Sequence, residues 1–276
     1  MTTPRWRALL SSAPLALLLL LPLLVVATAP LHTSATEWAF VRSTLLPTLL
    51  ADTALLVLRT VLLALVLGVS TAWLVTANDF PGRRIFRWSL VLPLALPTYI
   101  SAITFADLWG PTGRLSRQVA EALGVHIDVL TPGGLSCVLA FVLFPYVYLP
   151  ARAAFSAGMS EQLDAARMLG GGALRRAFRV AFPLAAPAIA GGALLVCMEV
   201  LNDYGAVKHY GVRTLTAGIF RAWGGLYDRG SALRIGGILL LLVLVLMVLG
   251  RAADRGRQRA VSGRRLRPVP LRGLRR

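Results

Sequence analysis

Apolar residues in this chain do not alternate with polar ones. They come in blocks, and the first is continuous enough to read LALLLLLPLLVVATA over residues 15–29. Six blocks stand out, at about 9–29, 53–76, 88–109, 134–155, 184–206 and 232–250. A helix needs roughly 20 apolar residues to cross a bilayer, and each block is near that length. The pattern predicts an all-α, polytopic membrane protein with six transmembrane helices over 1–250 and a basic tail over 251–276. The first block has a second reading as a signal peptide, because Arg5 and Arg7 precede it and Ala27-Thr28-Ala29 resembles a cleavage site. Its apolar run is longer than the usual h-region, and Pro30 would follow the cut.

Between the fourth and fifth blocks the pattern changes. Residues 156–183 read as two short amphipathic helices. Met159, Leu163 and Ala166 share a face of the first. Gly170-Gly171-Gly172 ends it, since glycine accepts the left-handed conformation at a helix C-terminus. On the second, Leu174, Ala177, Phe178 and Ala181 lie on one side and Arg175, Arg176 and Arg179 on the other. Pro183 and Pro187 open the next block. A basic helix resting on lipid phosphates would fit the second piece. It fits the first poorly: Glu161 and Asp164 are acidic, and Ala165 and Ala166 let another protein approach the backbone.

Charge then orients the chain. The 276 residues carry 29 Lys and Arg against 12 Asp and Glu, a formal net charge of +17. Such a balance can mark a nucleic-acid binder, but long apolar runs have no use in one. With the N-terminus inside, twenty basic residues fall on the cytoplasmic side, seven outside, and Arg59 and Arg234 within or at the edge of blocks. The positive-inside bias predicts that both termini are cytoplasmic. The six tryptophans, Trp6, Trp38, Trp73, Trp88, Trp109 and Trp223, fall near block ends, as interfacial anchors do.

Candidate chemistry is sparse. Cys137 and Cys197 lie inside blocks without metal-ligand spacing and read as small packing residues. His32, His126 and His209 fall in outer loops. No phosphate-binding GxxxxGK[ST], no GxSxG and no HExxH is present. The chain is expected to be non-catalytic, with no cofactor and no firm metal site of its own.

The loop resembles a known pattern. Permeases of binding-protein-dependent ABC importers carry Glu-Ala-Ala, three residues, Gly, nine residues and Ile-x-Leu-Pro in a cytoplasmic loop. This chain has Asp164-Ala165-Ala166, Gly170, then nine residues to Val180-Ala181-Phe182-Pro183. The spacing matches throughout, with Asp for Glu, Val for Ile and Phe for Leu. The resemblance implies a type I importer permease fold. It also implies a coupling helix seated on a cytoplasmic ATPase dimer that holds the ATP, an external substrate-binding protein, and a second permease half. Two further stretches, MEVLNDYGAVKHYGVRTLTAGIFRAWGGLYD at 198–228 and LPLALPTYISAITFADLWGP at 92–111, resemble ferric iron permeases. Relatives of that type usually join two six-span halves in one chain. Here one half is followed by RRLRPVPLRGLRR, which resembles a linker to a second half or a free tail.

Polar groups within spans are costly and mark function. Glu199 and Asp203, four apart on the fifth block, are expected to share a helix face, with Asn202 and Tyr204 beside them. With iron as cargo, these oxygen donors are candidates for the translocation path. Arg59 lies at a depth matching Glu199; it either pairs with it or snorkels to the interface. Pro93 and Pro97, and Pro145 and Pro150, interrupt the third and fourth blocks. Gly191-Gly192-Ala193 is expected to make a close helix contact. Two alternatives stay open: an ABC permease for thiamine, polyamine or an anion, and a secondary transporter using Glu199 and Asp203.

Overall fold

The computed structural model describes residues 5–28, 35–156 and 177–261, and among them there is no β-strand. The helices are α1 (Arg5–Thr28), α2 (Ala35–Phe40), α3 (Leu46–Ala77), α4 (Arg83–Ser89), α5 (Thr98–Trp109), α6 (Arg114–Leu123), α7 (Pro132–Leu143), α8 (Pro145–Ser156), α9 (Phe182–Asn202), α10 (Gly205–His209), α11 (Leu215–Phe220) and α12 (Arg229–Val261). A π turn over Val41–Leu45 joins α2 to α3, and another over Ala177–Ala181 leads into α9.

The longest uninterrupted block gives the clearest helix. α3 has 32 residues, about 48 Å at 1.5 Å per residue, more than the roughly 30 Å hydrocarbon core. Its buried positions are Leu49, Thr53, Leu56, Thr60, Ala64, Gly68, Ala72 and Val75. They recur every three or four residues and so form one stripe. Most are small. The large residues Leu55, Leu58, Leu62, Leu63 and Val66 are exposed. That is the membrane arrangement: lipid is as apolar as leucine, so helices associate through close packing of small residues.

Close packing is tightest around α8, which lies between α3 and α9. A Cβ on Gly68 would come within 2.7 Å of the Val147 Cβ, and one on Gly192 within 2.8 Å of the Val147 Cα and 2.6 Å of the Tyr146 carbonyl oxygen. Val147 is fully buried between these two glycines. The expected helix contact thus belongs to Gly192 alone, because a Cβ on Gly191 would meet nothing within 4 Å. α7 and α8 supply most of the main core with α3 and α9, and a smaller cluster joins Val41, Leu49, Leu215, Ala222, Ala232 and Ile235 near the start of α12.

Three described stretches are long and apolar enough to cross a membrane singly: Trp38–Ala77, Phe182–Asn202 and Arg229–Arg251. Two bent pairs bring the number to five: Pro132–Leu143 with Pro145–Ser156, bent by 42°, and Arg83–Ala95 with Thr98–Leu123, bent by 97°. The predicted third span, 88–109, is therefore corrected. The chain is a 3-10 turn over Leu92–Ala95, then extended at Leu96 and Pro97, before α5 begins. Proline has no amide hydrogen and holds the residue before it out of the helical region, which places the break there. Cys137 is exposed rather than packed in the core, while Cys197 is half-buried.

Candidate functional site

The two ends of α9 carry the sequence-predicted residues. At its start, the π turn Ala177–Ala181 runs directly into α9, with Pro183 in the first turn, where a missing amide hydrogen costs nothing. Val180 lies in that turn, and Pro183 is exposed. Asp164, Ala165, Ala166 and Gly170 lie outside the described residues.

Four rings meet beside this turn. Trp73 of α3 stands edge-on to Phe155 of α8 at 5.6 Å between centroids and to Phe182 of α9 at 5.9 Å. Phe155 and Phe182 are 5.9 Å apart, and Phe178 is edge-on to Phe182 at 5.0 Å. Trp73, half-buried four residues from the end of α3, thus packs between helices. Nearby, Arg83 donates through Nε to the Val75 carbonyl at 2.7 Å and through Nη2 to that of Thr76 at 3.3 Å, closing the C-terminal end of α3. Gly82, at φ 84°, makes the left-handed turn that lets α4 start there. The Arg87 carbonyl at the end of α4 accepts from the Tyr148 hydroxyl at 3.2 Å and from Arg152 Nη1 at 3.4 Å.

At the far end of α9 the structure separates residues that spacing had placed together. The helix stops at Asn202, and Asp203 has extended backbone (φ −71°, ψ 122°), so Glu199 and Asp203 do not share a helix face. Glu199 is exposed and accepts from the Tyr146 hydroxyl at 3.2 Å. Asp203 is buried; its Oδ1 accepts from the Ala206 amide at 2.9 Å, capping α10, and its Oδ2 has no partner. Asn202 turns back and donates to the Met198 carbonyl at 2.9 Å. Tyr204 stacks on Phe220 at 3.9 Å, with the Lys208 ammonium 5.4 Å from its ring centre. Arg59 is exposed and makes no ion pair among the described residues, so of the two readings the Arg59–Glu199 pair is not formed.

This end is held by backbone-directed bonds. Thr216 donates to the Leu201 carbonyl at 2.6 Å, the Leu215 amide donates to Thr53 Oγ1 at 2.9 Å, and Arg213 pairs with Asp52 at 3.2 Å. The Tyr210 hydroxyl donates to the Ala102 carbonyl at 3.3 Å, and a Cβ on Gly205 would lie 2.7 Å from the Tyr99 Cβ, so α10 rests directly on α5. A separate cavity of about 600 Å³ occupies the crook of the 97° bend, lined by Leu67, Thr71, Pro93, Ser101, Phe105 and Phe141 among others. None of the predicted site residues lines it. Among the described residues no three His, Cys, Asp or Glu side chains come together as a metal site.

Sequence reasoning missed Tyr146, Gly68 and the four rings. The rings left a signal: Phe155 stands just before the 156–183 loop, and Phe178 and Phe182 stand at its end. Nothing in the sequence pointed to Tyr146, 53 residues from Glu199.

The chain is similar to several transport proteins. It is 31% identical over 186 residues to the probable sulfate transport system permease protein cysT of Chlorokybus atmophyticus, covering 65% of this chain and 64% of that one. It is 29% identical over 142 residues to the sulfate transport system permease protein CysT of Escherichia coli, covering 51% and 50%. It is 26% identical over 210 residues to the Fe(3+)-transport system permease protein FbpB 2 of Haemophilus influenzae, covering 76% and 38%. The match thus spans well under two thirds of the length of some of these relatives. In fold, the chain resembles a bacterial ABC transporter that imports the acidic polysaccharide alginate, with a TM-score of 0.72 at 13% identity over 91% of this chain and 94% of that one. It also resembles an amino acid ABC transporter, with a TM-score of 0.57 at 18% identity over 81% and 99%. The family model for the inner membrane component of binding-protein-dependent transport systems matches residues 64–259, and the chain belongs to that family.

Proposed function

We propose that this chain is the non-catalytic permease subunit of an ATP-driven importer, and that its cargo is a small oxyanion of the sulfate class. The family match over 64–259 carries the permease reading. Within it, residues 164–183 engage a separate cytoplasmic ATPase through Asp164, Ala165, Ala166, Gly170, Val180 and Pro183. ATP is bound on that partner, an external binding protein delivers the cargo, and a second permease half covers the open face of the first. Six spans with both termini cytoplasmic remain the topology that the arginine bias supports.

The cargo reading departs from the iron expected from sequence resemblance. The relatives named for sulfate support it, and a basic side chain on α3, Arg59, is compatible with it. Glu199 already accepts a hydrogen bond from Tyr146, whereas Arg59 is exposed with no partner among the described residues. An uncommitted guanidinium matches the fork geometry of an oxyanion. Glu199, Asn202 and Tyr204, with Arg59, stay candidates for the path, and so does Asp203, although its unpartnered Oδ2 is buried while Oδ1 holds α10. Ferric iron is the second reading, favoured by the likeness to the Haemophilus influenzae Fe(3+) permease over 76% of this chain and by the exposed carboxylate of Glu199. The deciding experiment co-expresses the chain with a partner ATPase and binding protein and measures uptake of labelled sulfate and labelled ferric iron. ATP-dependent sulfate uptake, lost in Ala166→Arg, is the expected result. Iron uptake without sulfate uptake overturns the cargo, and uptake of either that is indifferent to ATP overturns the importer.

A further inference from the structure

We propose that Trp73, Phe155, Phe178 and Phe182 form a clasp that ties the end of α8, the Ala177–Ala181 turn and the start of α9 to α3, so that a displacement of that turn reaches all three helices, a positioning role in import that rests on the permease reading above. Two of the rings close the loop on itself. Phe155 is the residue before Ser156, where α8 ends, and Phe182 begins α9. Their centroids are 5.9 Å apart although 27 positions separate them in sequence. The two ends of the loop therefore cannot part without breaking a ring contact. Trp73 supplies the third side. It meets Phe155 and Phe182 edge-on, at 78° and 79°, the geometry in which the positive rim of one ring faces the negative face of another. Ala181 and Ala185 beside it are fully buried and small, which lets the start of α9 sit close to its neighbours.

From Trp73 the connection continues without passing through lipid. α3 ends four residues later at Ala77, and Arg83 bonds the carbonyls of Val75 and Thr76, fastening α4 to that end. α8 reaches the same place by another route, since Tyr148 and Arg152 both donate to the Arg87 carbonyl of α4. A displacement of the loop ends is thereby shared by α3, α4, α8 and α9 through packed rings and directed hydrogen bonds, the contiguous elements that carry coupling. Phe178 is the ring that a purely structural core would not need. It is 64% exposed and touches the set only through Phe182, on the side of the loop.

The test uses the whole importer, reconstituted in proteoliposomes with its ATPase and binding protein, and reads cargo imported per ATP hydrolysed. The unsubstituted complex is measured first; if it imports nothing, the permease reading fails and the clasp with it. Trp73→Ala is expected to lower import per ATP about tenfold while hydrolysis persists. Phe178→Ala, which removes an exposed ring and leaves the core filled, is expected to lower it about threefold. Trp73→Phe keeps a ring at the centre and is expected to restore the ratio to within about twofold. Unchanged ratios in both alanine variants overturn the clasp. So does a Trp73→Ala chain that merely disappears from the membrane while Phe178→Ala couples normally, for the rings then only hold the fold together.

Discussion

Two stretches of this protein carry the same sequence signal and fold differently. Each is an apolar run with two prolines, Pro93 and Pro97 in one, Pro145 and Pro150 in the other. At Pro145 the chain bends by 42°, and α7 and α8 stay close to a single span. At Pro97 it turns by 97°, and Arg83–Ala95 stands across the direction of Thr98–Leu123. The prolines only permit a break. What sets the angle is the packing on either side. α8 is enclosed: Val147 and Tyr148 are fully buried, with Gly68 on one flank and Gly192 on the other. The segment around Pro97 has an open side, where Leu92 and Leu96 are 65% and 55% exposed. α10 rests on α5 through Gly205 and Tyr210, and α7 packs against the same segment.

The comparison can be broken most forcefully at the glycines. Gly192→Leu must push the backbone of α8, 2.6–2.8 Å from the new Cβ, and is expected to cost about 3 kcal/mol or more. Gly191→Leu, which meets nothing within 4 Å, is expected to stay within about 0.5 kcal/mol. Membrane level and thermal unfolding in detergent measure both; equal effects would show that α8 is not clamped.

Next comes the support under α5. Asp203→Ala removes the acceptor of the Ala206 amide and is expected to cost about 1–2 kcal/mol, as lost helix caps do. Asp203→Asn keeps an acceptor and is expected to retain most of it. Faster amide exchange in α5 as well as α10 would confirm the support; exchange confined to α10 would deny it.

A third test addresses the prolines directly. Spin labels at Phe86 and Leu108 should move apart in Pro97→Ala, because the residue before it regains the helical region. Labels flanking Pro145 should keep their distance in Pro145→Ala, because its neighbours fix the angle. The smallest loss among the disruptive changes is expected of Tyr148→Phe. It loses one hydrogen bond, to the Arg87 carbonyl at 3.2 Å, worth about 1 kcal/mol of thermal stability.

Much of this architecture was legible as a pattern of residues. The blocks at 53–76 and 232–250, and 184–206 as far as Asn202, are helices because they are apolar enough to lie at a depth where every backbone group needs an internal partner. Pro183 is visible as a helix opener, and the spacing from Asp164 to Pro183 names the family without any coordinates. The prolines marked four candidate breaks, and the chain breaks at Pro97 and Pro145, while Pro150 stays inside α8. What spacing could not settle is where a helix ends and what lies beside it. Glu199 and Asp203 are four apart, which is one face of a helix only if the helix continues; it ends at Asn202, where Asp203 turns to hold α10. Tyr146 beside Glu199, Val147 between two glycines, and Trp73 between Phe155 and Phe182 are contacts between elements distant in the chain. Local propensity and hydropathy act within a few turns and so determined the helices and their breaks. The bend angles, and which polar groups meet, depend on close packing across the bundle, and only the tertiary structure decided them.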